Sequence, residues 1–467
     1  MKNSSFRADK LGSKFFCQEY NVKLAYVAGA MYKGIASTEL VVKMGKAKLL
    51  SFFGTGGLQL STIEQAICYI QSQLPTDAPY GMNLICNLDR PDVEQTQVEL
   101  FLKYKINTIE AAAFMHITPA LVYFRLKGIH LKDNNQLVIP NRIIAKISRP
   151  EIAAYFMSPA PESIVQMLVA DGKLLAEEAR LARLIPMAQD VCVEADSGGH
   201  TDQGVAYALM PSIIKLKETL MQQYNYTSEI RIGAAGGIGT PEAAAAAFML
   251  GADFILTGSI NQCTVEAGTS AAVKNILQSI DVQDTTYAPA GDMFEIGAKI
   301  QVVRKGLFFA ARANKLYDLY RQYNSLDEID SKIQQQIQEK YFRRTFDAIW
   351  QETKNYYLSN KPEVILHAEK NAKRKMALIF RWYFINTTRL ALKGVEEQRV
   401  DYQIQCGPAL GAFNQWVSGT QFKNWHNRHV DAIAELLMKA TADLLVKRYQ
   451  EWFTESVFIE KIGAITA

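Results

Sequence analysis

Eight short apolar, β-branched runs recur along the first part of the chain, at about 24–30, 48–53, 81–86, 108–113, 142–147, 189–194, 229–233 and 252–257. Stretches with helical spacing separate them, such as 62–72, 92–103 and 118–126. Parallel strands need long crossovers, so strands that alternate with helices predict a parallel sheet. Eight strands over roughly 250 residues is the count and length of a (β/α)8 TIM barrel. Thr240 followed by Pro241 reads as an N-cap and first helical turn after the seventh strand. An open doubly wound sheet shares this alternation, so periodicity alone leaves closure open.

Two departures from the plain barrel are expected. The connection from Ser148 to Met187 is too long for one crossover and reads as a helical insertion at about 158–187. Composition also changes near residue 285. All five tryptophans and only eight of the 28 glycines lie beyond 284. The region holds 26 Lys+Arg against 20 Asp+Glu. The expectation is therefore a barrel over 1–284 and a C-terminal helical domain over 285–467, facing substrate or partner.

Composition excludes several classes. A net charge of +4 over 467 residues is too small to make nucleic acid the default partner. Six scattered cysteines without a CxxC argue against a disulfide framework or a zinc ribbon, and for a reducing, cytoplasmic setting. The N-terminus has no apolar core of a signal peptide. The longest purely apolar run, Ala243–Leu250, is far short of the roughly 20 residues of a membrane helix.

In a barrel the site lies at the C-terminal ends of the strands. Strand seven runs into Gly236-Gly237-Ile238-Gly239-Thr240 and strand eight into Gly258-Ser259. Such turns let backbone N–H groups approach a phosphate, and loops seven and eight often hold one. Strand six ends in Glu194-Ala-Asp-Ser-Gly198-Gly199-His200, where a histidine beside a glycine turn suits proton transfer. Strand one ends in Ala28-Gly29-Ala30-Met31, small residues that leave room for a planar ring. Asn83 on strand three offers donor and acceptor. Lys146 on strand five is costly in an apolar run unless it faces an anion or a polar cavity.

Two further segments are weaker signals. Gly54-Thr55-Gly56-Gly57 lacks the G-x-G-x-x-G spacing, because Gln59 stands where the third glycine would be. The basic run Lys370–Lys375 reads first as a solvated face and second as a docking site.

The motifs AGAM, the strand-three Asn, EADSGGH, AAGG and TGS in this order resemble the flavin barrels of the nitronate monooxygenase and FMN-dependent enoyl reductase superfamily. The chain is more closely similar to the PfaD-type trans-acting enoyl reductases of polyketide and polyunsaturated fatty acid synthases. ARANKLYDLYRQYNSLDEI (311–329), KMALIFRWYF (375–384) and DYQIQCGPALGAFNQW (401–416) are the discriminating phrases. The strand-six motif is one residue shorter than in the wider superfamily, which bears on Glu194 more than on His200.

The resemblance implies FMN contacts from Ala28, Gly29, Ala30, Met31, Asn83, Lys146, Glu194, Gly198 and Gly199. It places Gly236, Gly237, Gly258 and Ser259 on the phosphate. It also implies His200 and Lys146 as catalytic groups, NADPH as hydride donor, and an enoyl thioester on an acyl carrier protein as substrate. The basic surplus beyond 284 would suit an acidic carrier, and Trp382, Tyr383, Phe384, Phe413 and Trp416 are candidates for an acyl tunnel. A nitronate-oxidising FMN enzyme and a non-catalytic flavin-binding synthase component remain alternatives.

Overall fold

The computed structural model describes residues 7–87 and 90–465. All eight expected runs form strands: β1 (Tyr26–Ala28), β2 (Leu50–Phe53), β3 (Gly81–Ile85), β4 (Thr108–Ala112), β5 (Arg142–Ile147), β6 (Asp190–Glu194), β7 (Arg231–Ala235) and β8 (Phe254–Thr257). Every neighbouring pair is parallel, and β1 pairs with both β2 and β8, so the sheet closes into a barrel. The fold is a TIM barrel, and the open-sheet alternative falls with that closure.

Alternate residues of the strands face the lumen. Val27, Leu50, Phe52, Ile144, Cys192, Phe254 and Leu256 fill it together with Phe16. Phe16 belongs to a helix at Lys14–Glu19 that plugs the lower end, its ring stacked on Phe254 at 4.4 Å. At that end Arg231 makes a bidentate pair with Asp190, both contacts at 2.6 Å. It also reaches Glu19 at 2.7 Å, and Tyr20 donates to Asp190 at 2.7 Å.

The long connection before β6 carries helices Pro150–Met157, Glu162–Ala170 and Ala176–Leu181, the last two within the expected insertion. Thr240 caps the helix Pro241–Met249, accepting from the Ala243 N–H, with Pro241 in its first turn.

The described chain divides into two compact units. One holds the barrel, residues up to Asp196, Gln203–Gly268 and everything from Trp416 onward; the other holds Ser197–Asp202 and Thr269–Gln415. This differs from a division at 284. The long helix Val430–Ile465 buries Ile433, Ala434, Leu437 and Met438 and packs on Pro241–Met249, whose run of alanines lets a helix approach closely. The C-terminal segment is thus part of the barrel unit.

The second unit was expected to be helical. Helices Phe309–Gln322, Phe346–Asn360, Pro362–Lys370 and Ala372–Lys393 do make up most of it. It also contains an antiparallel sheet in which 299–303 pairs on one side with 285–289 and on the other with Gly199-His200. Thr285, Thr286, Ile300, Val302 and Val303 are β-branched and favour that geometry. Tyr383 and Phe384 are not lining groups: they are buried in an aromatic core with Phe294, Phe309, Phe342 and Phe380. Phe413 is fully buried as well. Among the described residues no helix is long and apolar enough to cross a membrane.

Candidate active site

The upper end of the barrel lumen is polar. Neighbouring strands β4, β5 and β6 send Glu110, Lys146 and Glu194 inward, Glu110 from mid-strand and the other two at or near the C-terminal ends. The Lys146 ammonium lies 3.1 Å from Glu194 and 3.8 Å from Glu110. Glu110 is 1% exposed, Lys146 15% and Glu194 25%, so the cluster grades from the lumen toward the mouth. Burial disfavours the Lys146 charge, but Glu194 and then Glu110 outweigh it and hold its pKa above the ordinary lysine value. Burial likewise pushes the Glu110 carboxyl up, against the pull of Lys146 and a backbone N–H. Lys146 is therefore no snorkelling side chain but the cation of a buried cluster.

The second oxygen of Glu110 accepts the Ala30 N–H at 3.0 Å. Ala30 lies just past β1, which is not a neighbour of β4, so this bond spans the lumen. The Ala28–Met31 exit is thereby held over the acidic cluster. Asn83, on β3, donates to the Glu110 carbonyl at 3.0 Å and is buried at the same end. Seven of the expected positions, Ala28 to Met31, Asn83, Lys146 and Glu194, thus gather at one end of the barrel.

The two glycine turns differ in what they require. A Cβ on Gly236 would fall 2.6 Å from the Ala195 carbonyl oxygen, and φ there is +88°, so backbone packing alone demands glycine. A Cβ on Gly237 or on Gly258 would meet no atom within 4 Å. Packing does not explain glycine at Gly258, where φ is −124°. Below it, Tyr26 and Thr257 share a hydrogen bond of 2.5 Å, and Asn261 donates to the Thr257 carbonyl at 2.9 Å, fixing the exit of β8 that leads into Ser259. Gly237 stands before the N-terminus of Pro241–Met249, the positive end of that helix.

His200 belongs to the second unit, where its Nε2 lies 2.9 Å from Asp292 Oδ1. Both side chains are exposed. Desolvation raises the Asp292 carboxyl, but the hydrogen bond and charge of His200 outweigh it and bring it below its ordinary value. Gly198 and Gly199 have a packing reason of their own. A Cβ on Gly198 would fall 2.5 Å from the Gly407 nitrogen; one on Gly199, at φ +85°, would sit 2.9 Å from Gln405. Their small size is explained within the unit, where Gln405, Cys406 and Gly407 supply the surface they pack on.

Both weaker signals resolve. A Cβ on Gly54 would overlap the Met31 carbonyl oxygen at 1.7 Å, so this glycine run serves the meeting of the β1 and β2 exits. In the basic run, Lys373 donates to the carbonyls of Tyr320 and Tyr323, Arg374 pairs with Glu295, and Lys375 lies over the Trp350 ring. Those three charges are engaged inside their own unit.

Sequence reasoning missed Glu110 and Asp292. The signal for Glu110 was present: a carboxylate in the apolar run TIEAAA raises the same question as Lys146 in RIIAKI.

Comparison with known proteins decides the family. The crystal structure of the enoyl reductase domain of MlnA, from the macrolactin biosynthesis cluster of Bacillus amyloliquefaciens, is 46% identical with a TM-score of 0.92, over 95% of this chain and 99% of that one. This chain belongs to the PfaD-type enoyl reductase family. Further relatives come from polyketide and polyunsaturated fatty acid synthesis. The polyketide biosynthesis protein PksE of Bacillus subtilis is 55% identical over 96% of this chain and 58% of its own length. A polyunsaturated fatty acid synthase component of Thraustochytrium is 42% identical over 88% of this chain and 28% of its own. The chain thus spans little more than half of PksE and less of the synthase component. Residues 323–402, within the second unit, match the family model described as the inserted helical domain of acyl-carrier-protein S-malonyltransferase.

Proposed function

We propose that this PfaD-type chain is an FMN-dependent enoyl reductase. Its substrate is the α,β double bond of an enoyl thioester on an acyl carrier protein, in polyketide or fatty acid synthesis, and NADPH is the reductant. The observation that carries the reading is the 46% identity to an enoyl reductase domain over 99% of that domain.

The barrel mouth fits the cofactor. Gly237 and Gly258 leave open volume beside two strand exits, one facing a helix N-terminus, which suits a phosphate. Lys146 offers a fixed cation to the electron-rich edge of a flavin ring. Gly29 is small for packing, since a Cβ there would meet Leu256 at 2.5 Å. Bound FMN supplies the two-electron chemistry between NADPH and the double bond. Gly237, Gly258 and Ser259 bind the phosphate end. Ala28 to Met31, Asn83 and Glu194 shape the place of the ring. His200, oriented by Asp292, donates the proton to the α-carbon of the thioester. Gly198 and Gly199 set the backbone that carries this histidine.

The carrier protein enters by charge and by kinship. The second unit holds 21 Lys+Arg against 17 Asp+Glu, a surplus suited to an acidic partner.

Purified protein should be yellow. Anaerobic NADPH should bleach it, and an enoyl thioester should restore the colour with loss of the double bond. Colourless protein that takes up no FMN overturns the cofactor. Colour that returns only with oxygen and alkyl nitronate overturns the substrate. Added salt should slow turnover of carrier-bound substrate more than that of a pantetheine thioester; equal dependence overturns the docking charge.

A further inference from the structure

Two ionic clusters occupy the barrel lumen, and they differ in kind. At the lower end Asp190 and Glu19 face Arg231 and Arg142, with the buried Arg125 guanidinium in the same field. At the upper end Glu110 and Glu194 both pair with the Lys146 ammonium. A buried ionic triad is a poor way to stabilise a core, since apolar side chains of equal volume do as well or better. The upper cluster therefore calls for another reason, and Glu110 is its deepest member.

Glu110 uses its two oxygens on different partners: one faces Lys146 on the neighbouring strand, the other takes the Ala30 N–H from the opposite side of the lumen. Its own backbone carbonyl takes the Asn83 side chain. We infer that Glu110 is the positioning residue of the mouth: it spans the lumen and fixes the β1 exit and the Lys146 ammonium relative to each other. The inference rests on the flavin reading above, because those two groups are the ones proposed to meet the ring. Glu110 itself lies beneath the β1 exit, where a Cβ on Gly29 would stand 3.5 Å from its Oε2, and acts through Ala30 and Lys146.

The test compares Glu110→Leu, which can hold neither partner, with Glu110→Gln, whose amide oxygen still accepts from Ala30 while Lys146 keeps Glu194. Each is titrated with FMN, and the visible circular dichroism of the bound flavin is recorded beside the melting temperature. Glu110→Leu should weaken FMN by on the order of tenfold or more, the worth of a hydrogen bond to a charged group, and should change the dichroism. Glu110→Gln keeps the Ala30 bond and loses the ion pair with Lys146, so it should fall between Glu110→Leu and wild type in both. If Glu110→Leu does not fold, Glu110→Ser, polar but too short to span the lumen, takes its place with the same expectation. Leu or Ser variants with wild-type affinity and dichroism overturn the inference. Gln and Leu variants impaired alike also overturn it, because the bond to Ala30 would then add nothing. Wild-type protein that takes up no FMN overturns the flavin reading itself, and this inference with it.

Discussion

Lys146 stands between Glu194 at 3.1 Å and Glu110 at 3.8 Å, one on each strand flanking its own. Removing the ammonium takes away the cation that Glu110 and Glu194 share at the top of the lumen. Lys146→Met should cost about 3 kcal/mol in urea unfolding at neutral pH, as for other broken buried pairs. Burial already pushes Glu110 up, so without Lys146 the folded state holds protons that the unfolded chain has released. Such a group loses stability as pH rises through its window. The deficit of Lys146→Met relative to wild type should therefore shrink between pH 8 and pH 5. A deficit that is constant with pH would mean that both carboxylates are otherwise compensated.

Gly258 gives the cleanest test of the phosphate assignment. An added methyl meets no atom within 4 Å. Gly258→Ala should thus stay within about 0.5 kcal/mol of wild-type stability, as surface changes usually do. It should nevertheless weaken FMN at least tenfold, because the methyl takes the volume assigned to the phosphate. Gly237→Asp should empty the site altogether by adding a carboxylate beside the same anion. Normal flavin content in both purified variants would remove the glycine turns from the cofactor site.

His200 and Asp292 form an exposed pair, so their link belongs to chemistry more than to stability. His200→Ala should leave FMN occupancy unchanged and slow single-turnover reduction of the thioester on the order of a hundredfold, the usual worth of a placed proton donor. Asp292→Asn should lower the pH at which the imidazole titrates in NMR spectra, because the carboxylate favours the imidazolium. An unmoved titration would deny Asp292 its orienting part.

Much of this was legible in the sequence because strand periodicity and glycine punctuation are local signals. The eight runs, the Thr240 cap and Lys146 in an apolar strand each needed only neighbouring residues to be read. What stayed hidden depended on distant partners. Gly198 is small because Cys406 and Gly407 arrive beside it from two hundred residues away. Strand 285–289 exists because 299–303 pairs with it. The helix after Val430 returns to the barrel because the alanines of Pro241–Met249 admit it, a fit no periodicity encodes. Tyr383 and Phe384 carried the same helical spacing as a lined tunnel would, and only packing distinguishes the two.

The lower end of the barrel supplies the control. Asp190 is buried, takes both arms of Arg231 and accepts from Tyr20. Conserving shape while removing charge, Asp190→Asn leaves Arg231 buried with Glu19 alone, and should cost about 3–5 kcal/mol, read as a lower urea midpoint with an unchanged slope. Lower-end residues of such barrels serve stability and upper-end residues serve chemistry. Below its melting temperature the variant should therefore bind FMN and reduce thioester as wild type does. Loss of FMN affinity without loss of stability in Asp190→Asn would mean that the two ends of the lumen are coupled, and the upper cluster could no longer be treated as a separate site.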